Sequence, residues 1–220
     1  MSLDGYIDDA SDRRLVLSGE EDLDQVDELR AGCDAILVGA GTVRADNPRL
    51  LPRSESRRQA RIARGATPDP VRVALTTSGD LDPAARIFTA GGAATVVYAA
   101  SQAVADLARR LGDLADVVDA GDPLDLAAVL ADLAGRGVGR LMVEGGSAVY
   151  TSFLTGGLAD ELRLSVVPLF VGDSAAPSFV GDGEYPWRPA APAELTDVRQ
   201  VGSDVVITYA LSDRARGQVP

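Results

Sequence analysis

Three segments of this chain combine glycines or hydroxyls with the end of an apolar run, and those are where chemistry could sit. The first is Val38-Gly39-Ala40-Gly41-Thr42-Val43-Arg44-Ala45-Asp46-Asn47-Pro48, the second Val143-Glu144-Gly145-Gly146-Ser147, and the third Thr76-Thr77-Ser78-Gly79. Glycines after a buried strand let a backbone approach a ligand closely, and a helix that starts there offers unpaired N–H groups to an anion. The first segment is not the dinucleotide-binding fingerprint, because Arg44 stands at the third glycine position and no acid follows about 20 residues on. Glu144 would repel a phosphate, so its carboxylate suits a hydrogen-bond donor on another ligand. A fourth segment, Ser2-Leu3-Asp4-Gly5-Tyr6, offers one more carboxylate near a turn. Taken singly, each of these would serve equally well as a plain turn. Their common placement at the ends of strands in one parallel sheet is what points to a site.

The residue types narrow the chemistry further. The chain of 220 residues has no His and no Lys, and Cys33 is its only cysteine. Imidazole bases, His-ligated metals, Schiff-base lysines, zinc clusters and internal disulfides are thereby excluded. Carboxylates, Arg, Tyr, hydroxyls and amides remain, a set that positions ligands better than it moves protons, and a cofactor carrying the reactive electrons would complete it. The net charge of −12 argues against nucleic-acid and anionic-membrane partners. The acidic start lacks a signal-peptide core, and no apolar run reaches the roughly 18–20 residues of a membrane helix, so a cytoplasmic protein is expected. Between Arg44 and Arg72 lie eight Arg against Asp46, Glu55 and Asp69. This basic island reads either as a receptor for a small phosphorylated ligand or as a solvated loop.

These residues need elements to hold them. Ser18-Gly19-Glu20-Glu21 fits a capping box, predicting a helix to about Ala31. Strands are expected at 33–38, 71–75, 95–98, 115–118 and 140–143, and helices at 101–111, 125–135 and from Ser147 to about Phe153. Residues 50–69 read as a long loop with some helix in the Arg-rich part. The βα alternation predicts a parallel sheet flanked by helices. Strands at 162–168, 193–201 and 204–210 follow, the last two meeting at Gly202-Ser203 as an antiparallel hairpin. No linker composition interrupts the chain, and one domain over residues 1–220 is expected.

Ser2-Leu3-Asp4-Gly5, Ala35 through Pro48, Val143-Glu144-Gly145-Gly146-Ser147 and Leu158-Ala159-Asp160-Glu161-Leu162, together with Pro168 through Gly172 and Val201 through Val205, resemble the reductase domain of riboflavin-biosynthesis deaminase/reductases. The matches keep their order across nearly the whole chain. The resemblance implies a dihydrofolate-reductase-like α/β fold: three αβα layers with a mainly parallel twisted sheet and an antiparallel C-terminal hairpin. It implies NADPH-dependent reduction of 5-amino-6-(5-phosphoribosylamino)uracil, in which the ribosylamine opens to an imine and hydride adds at C1′. By the same resemblance Thr42, Asp46, Thr77 and the run Gly146, Ser147, Ala148, Val149, Tyr150, Thr151 and Ser152 would contact NADPH. Arg30, Leu50, Arg53 and Glu144 would contact the phosphorylated pyrimidine, the two Arg at its 5′-phosphate, and Asp4 and Glu144 are the candidate proton-handling groups. A homodimer is implied as well. The family carries a strand before Ser-Leu-Asp-Gly, so a start upstream of Met1 is expected, and deamination would fall to another polypeptide. A paralogous NADPH reductase of another pterin or pyrimidine, a non-catalytic NADPH-binding protein and a dimerising module are the rival readings.

Overall fold

Residues 1–11 and 15–216 are described by a computed structural model of the chain. The expected alternation folds as five parallel strands, β1 (Ala35–Gly39), β2 (Val71–Thr76), β3 (Thr95–Ala99), β4 (Asp116–Asp119) and β5 (Leu141–Val143), in the order β4-β3-β2-β1-β5. Every residue of β1 and β3 is buried, as is all of β2 except Val71. Strands buried on both faces need helices on both, which is why these runs are continuously apolar and the architecture is three-layered. The connections supply them: α1 (Glu20–Gly32) before β1, then α2 (Ala40–Asp46), α3 (Glu55–Ala63), α4 (Arg86–Thr89), α5 (Ser101–Leu111) and α6 (Leu126–Gly135). On α5 the buried residues Ala103, Leu107 and Leu111 recur every four positions, a single stripe that joins Ile36, Val38, Ala74 and Val97 in the core. At the start of α6 the Asp125 side chain caps the Ala128 N–H at 3.0 Å.

The chain lays β2, β3 and β4 successively to one side of β1, then returns through α6 to place β5 on the other side. The strand order therefore reverses at β1, and such reversals open a crevice beyond the carboxyl ends of the strands.

Val26–Gly146 forms one compact unit, and Met1–Gln25 with the chain from Ser147 onward forms another. The second unit contains α7 (Ser147–Thr155), β6 (Glu161–Val166), β7 (Glu194–Val201), β8 (Asp204–Ala210) and α8 (Asp213–Arg216). The expected hairpin is β7–β8, turning at Gly202 (φ +59°). It pairs with β6 in an antiparallel sheet of its own, ordered β6-β8-β7, and is not an extension of the parallel one. Met1 and Leu3 run beside the end of β6, through Val167 N–H to Met1 C=O (2.9 Å) and Leu3 N–H to Leu169 C=O (2.8 Å).

Three local expectations shift. The helix α1 begins at Glu20 with Leu23 N–H on Gly19 C=O, one residue later than a capping box led by Ser18 requires. The Arg-rich loop contains a full helix, α3, capped by the Ser54 hydroxyl on Arg57 N–H. The short α4 had no sequence signal, since one turn is too short to show a period.

Candidate functional site

The parallel-sheet unit brings Thr42, Thr77, Glu144 and Gly146 to one edge, because β1, β2 and β5 are parallel neighbours and all four residues follow their carboxyl ends. Gly39 leads directly into α2, and its N–H donates to Gly145 C=O at 3.1 Å, while Glu144 N–H donates to Leu37 C=O at 2.8 Å. The segment after β5 is thus stitched to β1 at the reversal point. Gly145 and Gly146 both have left-handed backbones (φ +117° and +79°). A Cβ on Gly146 would stand 3.0 Å from Thr42 Oγ1, so only glycine lets this segment pass the threonine. At the end of β2 the Thr76 hydroxyl accepts Gly79 N–H (3.0 Å), which leaves Thr77 and Ser78 exposed. Arg44 reaches the same turn, donating to Asp80 C=O at 2.9 Å.

Glu144 does not stand open to solvent. Arg30, in the last turn of α1, grips it side-on, with Nε on Oε1 at 2.6 Å and Nη2 on Oε2 at 2.5 Å. The two side chains are 17% and 13% exposed. Burial alone would lower the Arg30 pKa, but the hydrogen bonds and charge of Glu144 outweigh it and the net direction is upward.

The other expected substrate residues lie on the segment from α2 to α3. Asp46 closes α2, and Asn47 follows in a left-handed conformation (φ +43°), its side chain accepting Arg86 N–H at 2.7 Å. Leu50 is also left-handed (φ +52°), and its side chain is 1% exposed in the main core. Only its backbone can meet a ligand. Arg53 is exposed and has no acidic partner among the described residues. Its position is set by buried Asp27, whose carboxylate accepts Arg53 N–H, Ser54 N–H (3.0 Å) and Arg57 Nη1 (3.1 Å).

The basic island is mostly committed to structure. Arg61 is buried and donates to Thr67 C=O (2.9 Å), Ala31 C=O (2.9 Å) and Cys33 C=O (2.5 Å), satisfying carbonyls at the end of α1. Buried Arg72 donates to the carbonyls of Ala90 and Ala93. Arg57 pairs with Asp27, Arg58 with Asp69 and Arg44 with Asp80. Sequence reasoning missed these inward roles. An arginine that caps carbonyls looks in sequence like one that faces water.

In the other unit Asp4 is equally engaged. Its carboxylate accepts the Ser2 hydroxyl (2.6 Å), Val171 N–H (3.1 Å) and Gly172 N–H (2.8 Å). The Ser2 hydroxyl foremost, with the two amides, holds the Asp4 pKa below the ordinary carboxylate value. Along α7, Ser147 donates to Ser178 C=O, and Thr151 Oγ1 accepts Gly181 N–H at 2.8 Å. The Tyr150 ring is tilted against Phe179, with centroids 5.3 Å apart. Ala148 and Ser152, four residues apart, are exposed, and Val149 is half-buried. Among the described residues no group of acids and cysteine could hold a metal ion, and no helix is long and apolar enough to cross a membrane.

Comparisons with known proteins converge on one family. The RibD C-terminal domain family matches residues 1–207. The 2,5-diamino-6-ribosylamino-4(3H)-pyrimidinone 5′-phosphate reductase of Archaeoglobus fulgidus is 41% identical over 184 residues, covering 83% of either chain. Its namesake from Methanothermobacter thermautotrophicus is 38% identical over 213 residues, covering 96% of this chain and 94% of its own. Among solved structures, Acinetobacter baumannii RibD superimposes with a TM-score of 0.76 at 25% identity, over 95% of this chain and 55% of that longer one. A pyrimidine reductase-like protein of Corynebacterium diphtheriae shares the fold, with a TM-score of 0.78 at 21% identity. The motifs after β1 and β5 and the domain-wide match agree, and the chain belongs to the RibD C-terminal domain family.

Proposed function

We propose that this protein is a riboflavin-pathway reductase that uses a nicotinamide cofactor to reduce the ribosylamino group of a ribosylaminopyrimidine 5′-phosphate. The observation that carries this reading is the close cradle at the carboxyl ends of the strands where the strand order reverses, in which Gly146 passes Thr42 so tightly that a Cβ would stand 3.0 Å from the hydroxyl. A dinucleotide fits such a cradle: Thr42, Asp46, Thr77 and Gly146 supply hydroxyl, carboxylate and close backbone there. By the family resemblance the run Ser147 to Ser152 at the start of α7 is a cofactor-binding segment as well, its orphan amides and helix dipole suited to a pyrophosphate. When bound, the nicotinamide supplies the hydride. The phosphorylated form NADPH is preferred in this reading, supported by the family resemblance and by the exposed Thr77 and Ser78 hydroxyls at the end of β2.

The chain's own residues then have the task of holding the substrate so that its C1′ meets the hydride, which is positioning chemistry. Arg53 takes the 5′-phosphate, with the Leu50 backbone beside it. Glu144 presents acceptor oxygens to the amino and hydroxyl hydrogens of the substrate. Asp4, whose carboxylate is already taken up by Ser2 and two amides, fixes the 171–172 stretch, and of the two carboxylates Glu144 is the one for contact with the reacting molecule.

The substrate that the family resemblance implies is the aminouracil, whereas the two stand-alone relatives are named for the diaminopyrimidinone. These differ at ring C2, and the reduced carbon is the same. Their identities of 41% and 38% favour the diaminopyrimidinone for this chain. The test is to mix the protein with NADPH or NADH and each pyrimidine and to follow the nicotinamide absorbance. NADPH oxidation that depends on a ribosylaminopyrimidine 5′-phosphate is expected, and inertness toward both pyrimidines sinks the proposal. A homodimer is part of the same reading, supported by Leu195, Val198 and Val205, apolar yet exposed on the antiparallel sheet. Sedimentation equilibrium at the mass of one chain would refute it.

A further inference from the structure

The turn after β2 is tied down by arginines from two helices. Leu81 N–H donates to Gly79 C=O at 2.9 Å, closing a three-residue γ-turn around Asp80. All three carbonyls of that turn accept from guanidinium groups. Arg44 of α2 takes Asp80 (2.9 Å), and Arg110, the penultimate residue of α5, takes both Leu81 (2.8 Å) and Gly79. We propose that Arg110 is a positioning residue for the cofactor, acting through Thr77 and Ser78, the two exposed residues that the turn holds in place. This rests on the cofactor placement in the reductase reading above, in which a nicotinamide dinucleotide meets the end of β2.

The residues on either side of Thr77 and Ser78 are fixed, and largely from α5. Thr76 belongs to the sheet; its C=O accepts Ala100 N–H and its hydroxyl accepts Gly79 N–H, both at 3.0 Å. Gly79 has a left-handed backbone (φ +71°), and a Cβ there would stand 3.1 Å from Ala103 Cβ, so the turn lies directly on the first part of α5. Ala103 and Arg110, seven residues apart, share one face of that helix. Leu81 closes the segment as a core residue. The exposed pair thus has both ends set, and Arg110 sets the far one. Asp106, one turn earlier on α5, accepts Arg110 Nε at 2.9 Å, while both terminal nitrogens meet the turn. A planar guanidinium braced in this way holds two carbonyls at once, which an ammonium does not match. Arg109 also pairs with Asp106, but its side chain is 75% exposed against 33% for Arg110, and among the described residues it reaches no carbonyl of the turn.

The experiment reads binding and turnover separately. NADPH affinity is measured by isothermal calorimetry without pyrimidine, on wild type, Arg110→Met, Arg110→Lys, Arg109→Met, Thr77→Ala/Ser78→Ala and that pair combined with Arg110→Met. Methionine keeps an apolar stem, and lysine keeps the charge. Arg110→Met is expected to raise the NADPH Kd on the order of tenfold, and Arg110→Lys to raise it by less. Arg109→Met removes the same charge from the same helix and should leave the Kd unchanged. With the Thr77 and Ser78 hydroxyls already gone, Arg110→Met should add little. In steady-state oxidation the KM for NADPH should rise with the Kd, while kcat and the pyrimidine KM at saturating cofactor keep their wild-type values. An unchanged Kd in both Arg110 variants, an equal loss in Arg109→Met, additive losses with the hydroxyl variants or a parallel fall in kcat overturns the assignment and leaves the reductase reading intact. A wild type that binds NADPH but is inert toward both pyrimidines overturns the reductase reading, and the binding series still decides the assignment. A wild type that binds no NADPH overturns both.

Discussion

Leu50 shows how a single residue can join core and site. A left-handed backbone costs a non-glycine residue about 1–2 kcal/mol, and here a fully buried side chain, contributing about 1.5–3 kcal/mol, offsets it. The core therefore holds the bend that presents Arg49 and Arg53 to solvent. Leu50→Ala should lower unfolding free energy by about 2–5 kcal/mol in a denaturant titration, and a change below about 1 kcal/mol would refute the anchoring role. Asp4 invites a different measurement. Its carboxyl is held low, so the clamp on Val171 and Gly172 is complete above the ordinary carboxylate range and is lost as pH falls through the lowered value. Hydrogen exchange at those two amides should quicken in Asp4→Asn at neutral pH, once corrected for intrinsic rates, and unchanged protection would disprove the clamp. Cys33 is buried and its thiol is pushed up by that burial. Alkylation at mildly alkaline pH should be slow in the folded protein and rapid in urea. At this scale the sequence singled out Thr42 and Glu144 by their place after apolar runs, with Arg53 added by the family resemblance. It could not show that Arg30 and Glu144 face one another across 114 positions, nor that Arg61 and Arg72 point inward. Those facts depend on packing between distant segments.

Elements were more legible than partners. The helix at 101–111 and the strand at 204–210 have the limits their patterns predict, because periodicity and glycine or proline punctuation are local signals. The separate β6-β8-β7 sheet was not legible, since strand pairing between remote segments leaves no local mark. The crossing after β5 offers a sharper test. Gly146→Ala puts a Cβ at 3.0 Å from Thr42 Oγ1 on a left-handed backbone, so stability should fall by about 1–2 kcal/mol. Cofactor affinity should fall with it, by isothermal calorimetry. Adding Thr42→Ala should recover stability but not affinity, and full recovery of both would refute a binding role for the Thr42 hydroxyl.

At the scale of the whole molecule, 33 acids against 21 arginines give a self-repelling protein that must nevertheless attract anions. Salt should act with opposite signs on these two properties. Raising NaCl from about 0.01 to about 0.3 M should raise the thermal midpoint by screening repulsion, while the proposed contact of exposed Arg53 with the phosphate predicts a KM for the phosphorylated substrate that rises with salt. A KM independent of salt would argue against a phosphate contact there. The order of strands has a consequence for synthesis on the ribosome. β1 pairs with β2 soon after both emerge, but β5 arrives only after β3, β4 and α6 have been made, to occupy the remaining side of β1. Met1 and Leu3 wait longer still, for Val167 and Leu169. The turn that carries Glu144 and Gly146 past β1 is thus among the last features of the parallel-sheet unit to exist on a growing chain, and a nascent protein halted before Leu141 holds four of its five strands without that turn.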